Sequence, residues 1–167
     1  MNELNDFRKM KDEFYKKGAE SPLDEEQKRD FKGLNYFPEN PSLRFNLDIK
    51  EFPEKETIQM NTSTGSAQTY SRYGKVKFEV EGQTVELTIY HSDTGFFLPF
   101  ADGLAGKETY PAGRYLEPEQ DGRGKFLIDF NLAYNPYCAY NERWSCPLTP
   151  LENRIKVPIR AGEKLFY

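Results

Sequence analysis

From Leu43 to Ile49 apolar residues alternate with polar ones, with Leu43, Phe45, Leu47 and Ile49 at every second position. The same period of two runs through Val76, Phe78 and Val80, through Val85, Leu87 and Ile89, and through Ile155, Val157 and Ile159. Successive side chains of a strand point to opposite faces, so each run predicts a strand with one buried face. TIQM at 57–60 and TYSRY at 69–73 predict two shorter strands joined by a turn at Ser63 to Ser66. Glu81-Gly82-Gln83 falls between two runs at hairpin length. DGRG, from Asp121 to Gly124, predicts another tight reversal, between RYL at 114–116 and KFLIDF at 125–130. No segment after Gly33 has the pattern of a three-turn helix. That removes the crossovers parallel strands need and leaves antiparallel pairing through hairpins.

Up to Gly33 the period is different. Leu4, Phe7, Met10 and Phe14 recur at steps of three and four, which predicts a helix over Glu3 to Lys17, with a narrow apolar stripe and Gly18 as its stop. A second helix is predicted to start at Ser21-Pro22, with Ser21 as cap and Asp24, Glu25 and Glu26 at the positive end of its dipole, and to end before Gly33. YFPENP at 36–41 suits neither regular state and marks the crossing. The expected fold is therefore mainly β, an antiparallel β-sandwich or partly open barrel with two N-terminal helices. It forms a single domain, 1–33 helical and 42–167 β-rich.

Composition refines this picture. The chain has 167 residues, enough to bury a core without disulfides or metals, yet only 37% are hydrophobic. Thirteen Phe and eleven Tyr must carry much of that core. A net charge of −4 and a pI near 5.2 leave no footprint for phosphate backbones, and the basic residues of the first helix are interleaved with Glu3, Asp6, Asp12 and Glu13. No nucleic-acid or membrane partner is expected. MNELNDFR lacks the charged-then-apolar form of a leader, so a cytoplasmic protein is expected.

Candidate chemistry is sparse. Asp93-Thr94-Gly95 matches the aspartic-protease triplet, but it follows His91-Ser92 rather than an apolar run and reads as a strand-ending turn. Cys138 and Cys146 lie eight positions apart, too far for a zinc knuckle or a thioredoxin-like pair, and the one histidine, His91, is distant in sequence. Two reduced thiols, a disulfide closing the CAYNERWSC loop, and a metal or nucleophile role all stay open. No metal site or cofactor is expected. FLPFADGLAGKETYPAGRYL, at 97–116, interleaves Asp102, Tyr110, Arg114 and Tyr115 with glycines, as loops over a site often do. Arg114 offers a planar fork for a carboxylate or phosphate, or an internal clamp for Asp102 or Asp129. The stretch from Asp129 to Asn153 holds both cysteines, the only tryptophan and four asparagines. Asp129, on the otherwise apolar KFLIDF, would be costly to bury without a partner such as Arg114, and strand geometry places Asn131 on its face. Asn135, held extended by Pro136, reads as a turn residue as well as a binding candidate.

FRKMKDEFYK, GLNYFPEN, FADGLAGKETYPAGRYL, LIDFNLAYNPYCAYN, CPLTPLEN and IRAGEK together resemble the prokaryotic family called domain of unknown function 1684 (DUF1684). The resemblance runs through most of the chain and departs from the family pattern at Leu104, where threonine is usual, and at Thr149, where proline is. It implies no activity, only that the characteristic polar residues gather in FAD, ETY, GRYL, DFN and AYNP.

The expectation is one polar pocket at an end of the β-structure, in which Arg114, Asp129, Asn131 and Asp102 meet near Tyr110, Tyr115, Asn135 and Cys138. Pairing across DGRG would bring GRYL beside LIDFN. Such a pocket would bind a small polar or anionic ligand, with hydrolysis run by Asp129 or Asp102 as an extension. The rival reading is a structural or protein-interaction module, whose polar cluster only stabilises the fold and whose surface is aromatic around Tyr137 and Trp144.

Overall fold

The computed structural model describes residues 3–166; Met1 and Asn2, where the leader reading begins, and Tyr167 lie outside them. Two helices, α1 (Glu3–Lys17) and α2 (Glu25–Asp30), precede nine strands: β1 (Arg44–Leu47), β2 (Lys50–Glu51), β3 (Thr57–Asn61), β4 (Ala67–Val80), β5 (Gln83–Ser92), β6 (Gly95–Phe100), β7 (Arg114–Leu116), β8 (Glu119–Gln120) and β9 (Phe126–Asp129). One sheet runs β2-β4-β5-β6-β7 with β3 also on β4, and a smaller one runs β1-β9-β8. Every strand pair is antiparallel. The fold is mainly β and its sheets are not closed, in agreement with the sequence pattern.

The hairpins follow from their turn residues. Val80 pairs with Gln83, so Glu81 and Gly82 alone turn the chain, with φ of 52° and 79°. Positive φ at both central positions is the type I′ geometry, whose twist matches that of the flanking strands. Ser92 pairs with Gly95, so Asp93-Thr94 is also a two-residue turn, as the sequence suggested, with the positive φ falling on Gly95 at 121° instead of on the central residues. Between the sheets lies an aromatic core. Phe78 contacts Phe45 at 4.8 Å, Phe96 contacts Phe126 at 4.7 Å, and Phe130 meets Phe100 at 5.1 Å, over fully enclosed Ile89, Leu98 and Ile128. A second cluster of Tyr15, Leu23, Phe31, Leu34 and Tyr140 seats the helices on the body.

Four expectations change, each for a physical reason. The stripe of α1 faces outward at Phe7, Met10 and Phe14. The helix docks instead through Leu4, Arg8, Lys11 and Tyr15, also at steps of four and three, because buried acceptors await the two cations: Arg8 donates to the Phe37 carbonyl and Lys11 to Glu163. Helix α2 starts later than expected, capped by Asp24 in a reciprocal box with Gln27, while Ser21 donates to the Tyr15 carbonyl and receives the Leu23 N–H. RYL pairs with β6, not with KFLIDF; the strand that reverses through DGRG onto β9 is Glu119-Gln120. Finally, Ile155, Val157 and Ile159 alternate but form no strand. Val157 and Ile159 are buried, so the alternation reported burial correctly while the hydrogen bonds went elsewhere. Among the described residues no helix is long and apolar enough to cross a membrane.

Candidate functional site

The chain from Ile159 to Glu163 is buried except at Arg160 and belongs to no strand, so its backbone polar groups need other partners. Arg114 and Asp102 supply them. Asp102 accepts the Ile159 N–H at 2.7 Å and the Thr109 hydroxyl at 2.7 Å. Arg114 donates to the carbonyls of Ile159 at 2.9 Å, Glu163 at 3.0 Å and Ala161. The two charges stand 3.9 Å apart, each side chain 1% exposed, and the guanidinium lies 5.1 Å over the Phe100 ring. Burial pushes Arg114 down to about 10 against the pull of Asp102 and Glu163, so it stays charged at neutral pH. Gly162, at φ +79°, lets the clamped segment pass close, since a Cβ there would meet the Phe130 and Ala133 carbonyl oxygens at 2.7 Å.

Glu163 extends this cluster. It is buried and receives Lys11 of α1, the Tyr140 hydroxyl and the Asn135 N–H at 3.3 Å. Asn135 also gives its side-chain amide to the Lys164 carbonyl at 2.9 Å. Arg114, Asp102 and Asn135 are thus brought together, but around the protein's own backbone. Asn153 works alike, its amide spanning Thr88 and the Pro99 carbonyl at 2.8 Å.

Asp129 lies elsewhere. Its register partner across β1 and β9 is Arg44, which reaches its carboxylate at 3.0 Å and Glu39 at 2.9 Å. The strand ends at Asp129, which caps a 3-10 turn over Phe130–Leu132 by accepting the Asn131 N–H. Asn131 therefore sits on that turn, not on the strand face. Its side chain clips Asn40, accepting that residue's N–H at 2.8 Å and donating to its carbonyl at 3.0 Å. The expected meeting of Arg114 with Asp129 does not occur: β7 belongs to the large sheet and β9 to the small one.

Asp129 instead borders a cleft of about 890 Å³ between α1 and the small sheet. Among the described residues its rim carries Glu3, Glu39, Glu117, Glu119 and Asp129 against one cation, Arg44. Phe7, Leu127 and Leu132 line it and are 42%, 50% and 43% exposed, a sizeable apolar area for side chains of this type. Arg44 is held by Glu39 and Asp129, and Tyr134 donates its hydroxyl to Glu117. Glu3, Glu117 and Glu119 form no ion pair among the described residues.

Tyr110, Cys138 and Tyr115 form a third place. The Tyr110 hydroxyl contacts Cys138 Sγ at 3.5 Å, and Tyr115 donates to the Pro147 carbonyl. Both cysteines are free; Cys138 is half-buried and Cys146 buried, and the Cys138 N–H points at Cys146 Sγ at 3.4 Å. His91 lies against Phe96 and Tyr73, so it is not a partner of Cys138. Among the described residues no cluster of His, Cys, Asp and Glu could hold a metal ion. Tyr137 and Trp144 meet edge to face with centroids 5.3 Å apart, and Trp144 donates to the Pro22 carbonyl at 2.9 Å, which ties it to the chain before α2.

A family model described as a protein of unknown function, DUF1684, matches residues 29–164. The chain belongs to the DUF1684 family. That span takes in the Arg114 clamp, Asp129 and both cysteines, while α1, which supplies one wall of the cleft, precedes it. The DUF1684 chain is also similar to an uncharacterised protein of Haloarcula marismortui, whose structure was determined by solution NMR. They are 32% identical with a TM-score of 0.72, over 96% of this chain and 91% of that one. A search of curated proteins finds no match.

Sequence reasoning missed Arg44, Glu163 and Glu117. Lys11 gave a usable sign of Glu163, because two cations, Arg8 and Lys11, occupy one helical stripe with Leu4 and Tyr15. For Arg44 the sign was its place opposite Asp129, which needs the strand register.

Proposed function

We propose that the protein binds a small polar ligand that carries a positive charge on an apolar body, in the cleft between α1 and the small sheet. The observation that supports this is the make-up of the cleft among the described residues: exposed Phe7, Leu127 and Leu132 rimmed by five carboxylates and a single, already engaged, arginine. A volume of about 890 Å³ suits a ligand of drug size. The wall charge favours a cation over the anion that Arg114 was expected to hold, because that guanidinium is fully committed to three carbonyls and Asp102. Asp129 and Asp102, the candidate bases, have their oxygens taken by Arg44, Asn131, Thr109 and Ile159, so the reading is one of binding rather than hydrolysis. Two free thiols and the acidic balance fit a cytoplasmic setting.

The test is calorimetric titration with decylammonium and, as the matched anion, decanoate. Decylammonium binds and raises the melting temperature, decanoate does not, and Glu117→Gln with Glu119→Gln weakens binding about tenfold. Equal binding of both probes, or of neither, overturns the proposal. A second reading, that a polar cluster serves only to fix the fold, is favoured at Arg114 by its 1% exposure.

A further inference from the structure

Cys138 and Cys146 flank a seven-residue loop, Ala139 to Ser145, that the sequence left unassigned. The Cys138 N–H points at Cys146 Sγ at 3.4 Å, which puts the second sulfur beside the first residue, and the two thiols differ in access. Cys138 lines an open pocket of about 510 Å³ beside Tyr110 and Glu142, whereas Cys146 sits behind it at 7% exposure, its N–H held by the Ser63 hydroxyl at 3.2 Å. We propose that Cys138 and Cys146 form a redox couple in which Cys138 attacks small-molecule disulfides entering this pocket and Cys146 resolves the product into an intramolecular disulfide.

The chemistry balances as two exchanges. Cys138 thiolate attacks one sulfur of a disulfide RSSR; a Cys138–SR bond forms, the S–S bond breaks, and RS⁻ leaves and is protonated. Cys146, losing its proton to solvent, then attacks Cys138 sulfur and expels the second RS⁻. The protein's two thiols are oxidised and one RSSR becomes two RSH. A lowered thiol pKa, access for the attacking sulfur and a second thiol within reach are what exchange requires. Geometry provides the last two. The first is consistent: hydrogen bonding from Cys146, with help from Tyr110 and Ser63, holds Cys138 at about 6 against the opposing effect of burial, while Cys138 and burial push Cys146 upward. The other titratable groups facing the pair are Tyr110, Tyr115, Tyr137 and Glu142, and the phenols are shifted upward, chiefly by burial.

The experiment treats the full chain with glutathione disulfide at neutral pH and follows intact mass. The wild type loses two hydrogens without retaining an adduct. Cys146→Ser traps one glutathione on Cys138, and Cys138→Ser reacts at least about tenfold more slowly. Cys146→Ala repeats the trapping arm should the serine variant unfold. Alkylation of Cys138 by iodoacetamide rises with pH to a midpoint near 6 and is flat above it, where an ordinary thiol keeps accelerating up to about 8.5. A wild type that keeps its adduct or does not react, a Cys138→Ser variant as fast as the wild type, or a midpoint at the ordinary value overturns the proposal.

Discussion

Two arginine–aspartate pairs in this molecule invite comparison. Arg44 and Asp129 are 3.0 Å apart with side chains 37% and 14% exposed; Arg114 and Asp102 are 3.9 Å apart with both at 1%. Distance alone ranks the first as stronger. Solvent reverses the ranking, because an exposed pair is screened by water and worth about 0–1 kcal/mol, whereas a buried charge that loses its partner leaves uncompensated groups behind. Arg114 also satisfies three carbonyls and Asp102 an N–H and a hydroxyl, so each acts as the hinge of several bonds rather than one half of a pair. Arg44, by contrast, sits on the solvent-exposed rim of the cleft, where among the described residues it binds only two carboxylates.

The largest effect that tests this comparison is Arg114→Ala. It should cost about 3–5 kcal/mol in urea unfolding, since Asp102 and the carbonyls from Ile159 to Glu163 lose their donor inside the protein. A loss below about 1 kcal/mol would put the two pairs in one class. Arg44→Ala should stay within about 1 kcal/mol of wild-type stability, and by removing the rim's cation it should tighten decylammonium severalfold in the same titration. A large loss of stability there would break the contrast from the other side. The smallest effect is expected at Thr149, which is buried with a hydroxyl that has no hydrogen-bond partner among the described residues. Thr149→Val keeps the shape and removes the unsatisfied group, so its unfolding free energy should be unchanged or raised by up to about 1 kcal/mol.

Part of the site was legible before the structure. Burial of Arg114 and Asp102 together followed one of the two alternatives that the glycine-rich stretch at 97–116 allowed, an internal clamp. Asp129 reads from the sequence as a carboxylate needing a cation, and that cation is Arg44 instead of the expected Arg114. The pattern points to RYL reversing through DGRG, whereas Glu117 and Pro118 intervene and Glu119-Gln120 makes that turn. A three-residue strand carries too little pattern to fix its partner, since register is set by the buried face and the turn, and neither constrained RYL. The stripe on α1 failed for another reason. Apolar periodicity assumes that cations point outward, and Arg8 and Lys11 point inward because Phe37 and Glu163 present acceptors there.

The sequence by itself determined the elements whose cause is local: the span of α1, the Glu81-Gly82 and Asp93-Thr94 turns, and the alternation that buries Val76, Phe78, Leu87 and Ile89. Backbone sterics and the period of a strand act within a few residues, so the chain carries that information openly. Tertiary structure decided which charge meets which, that Ile159 to Glu163 are stitched to Asp102 and Arg114 instead of a strand, and that Cys138 faces a pocket with Cys146 behind it. Those outcomes depend on groups up to 152 positions apart, as Lys11 and Glu163 are, and a buried polar atom accepts whatever partner the completed packing brings within reach.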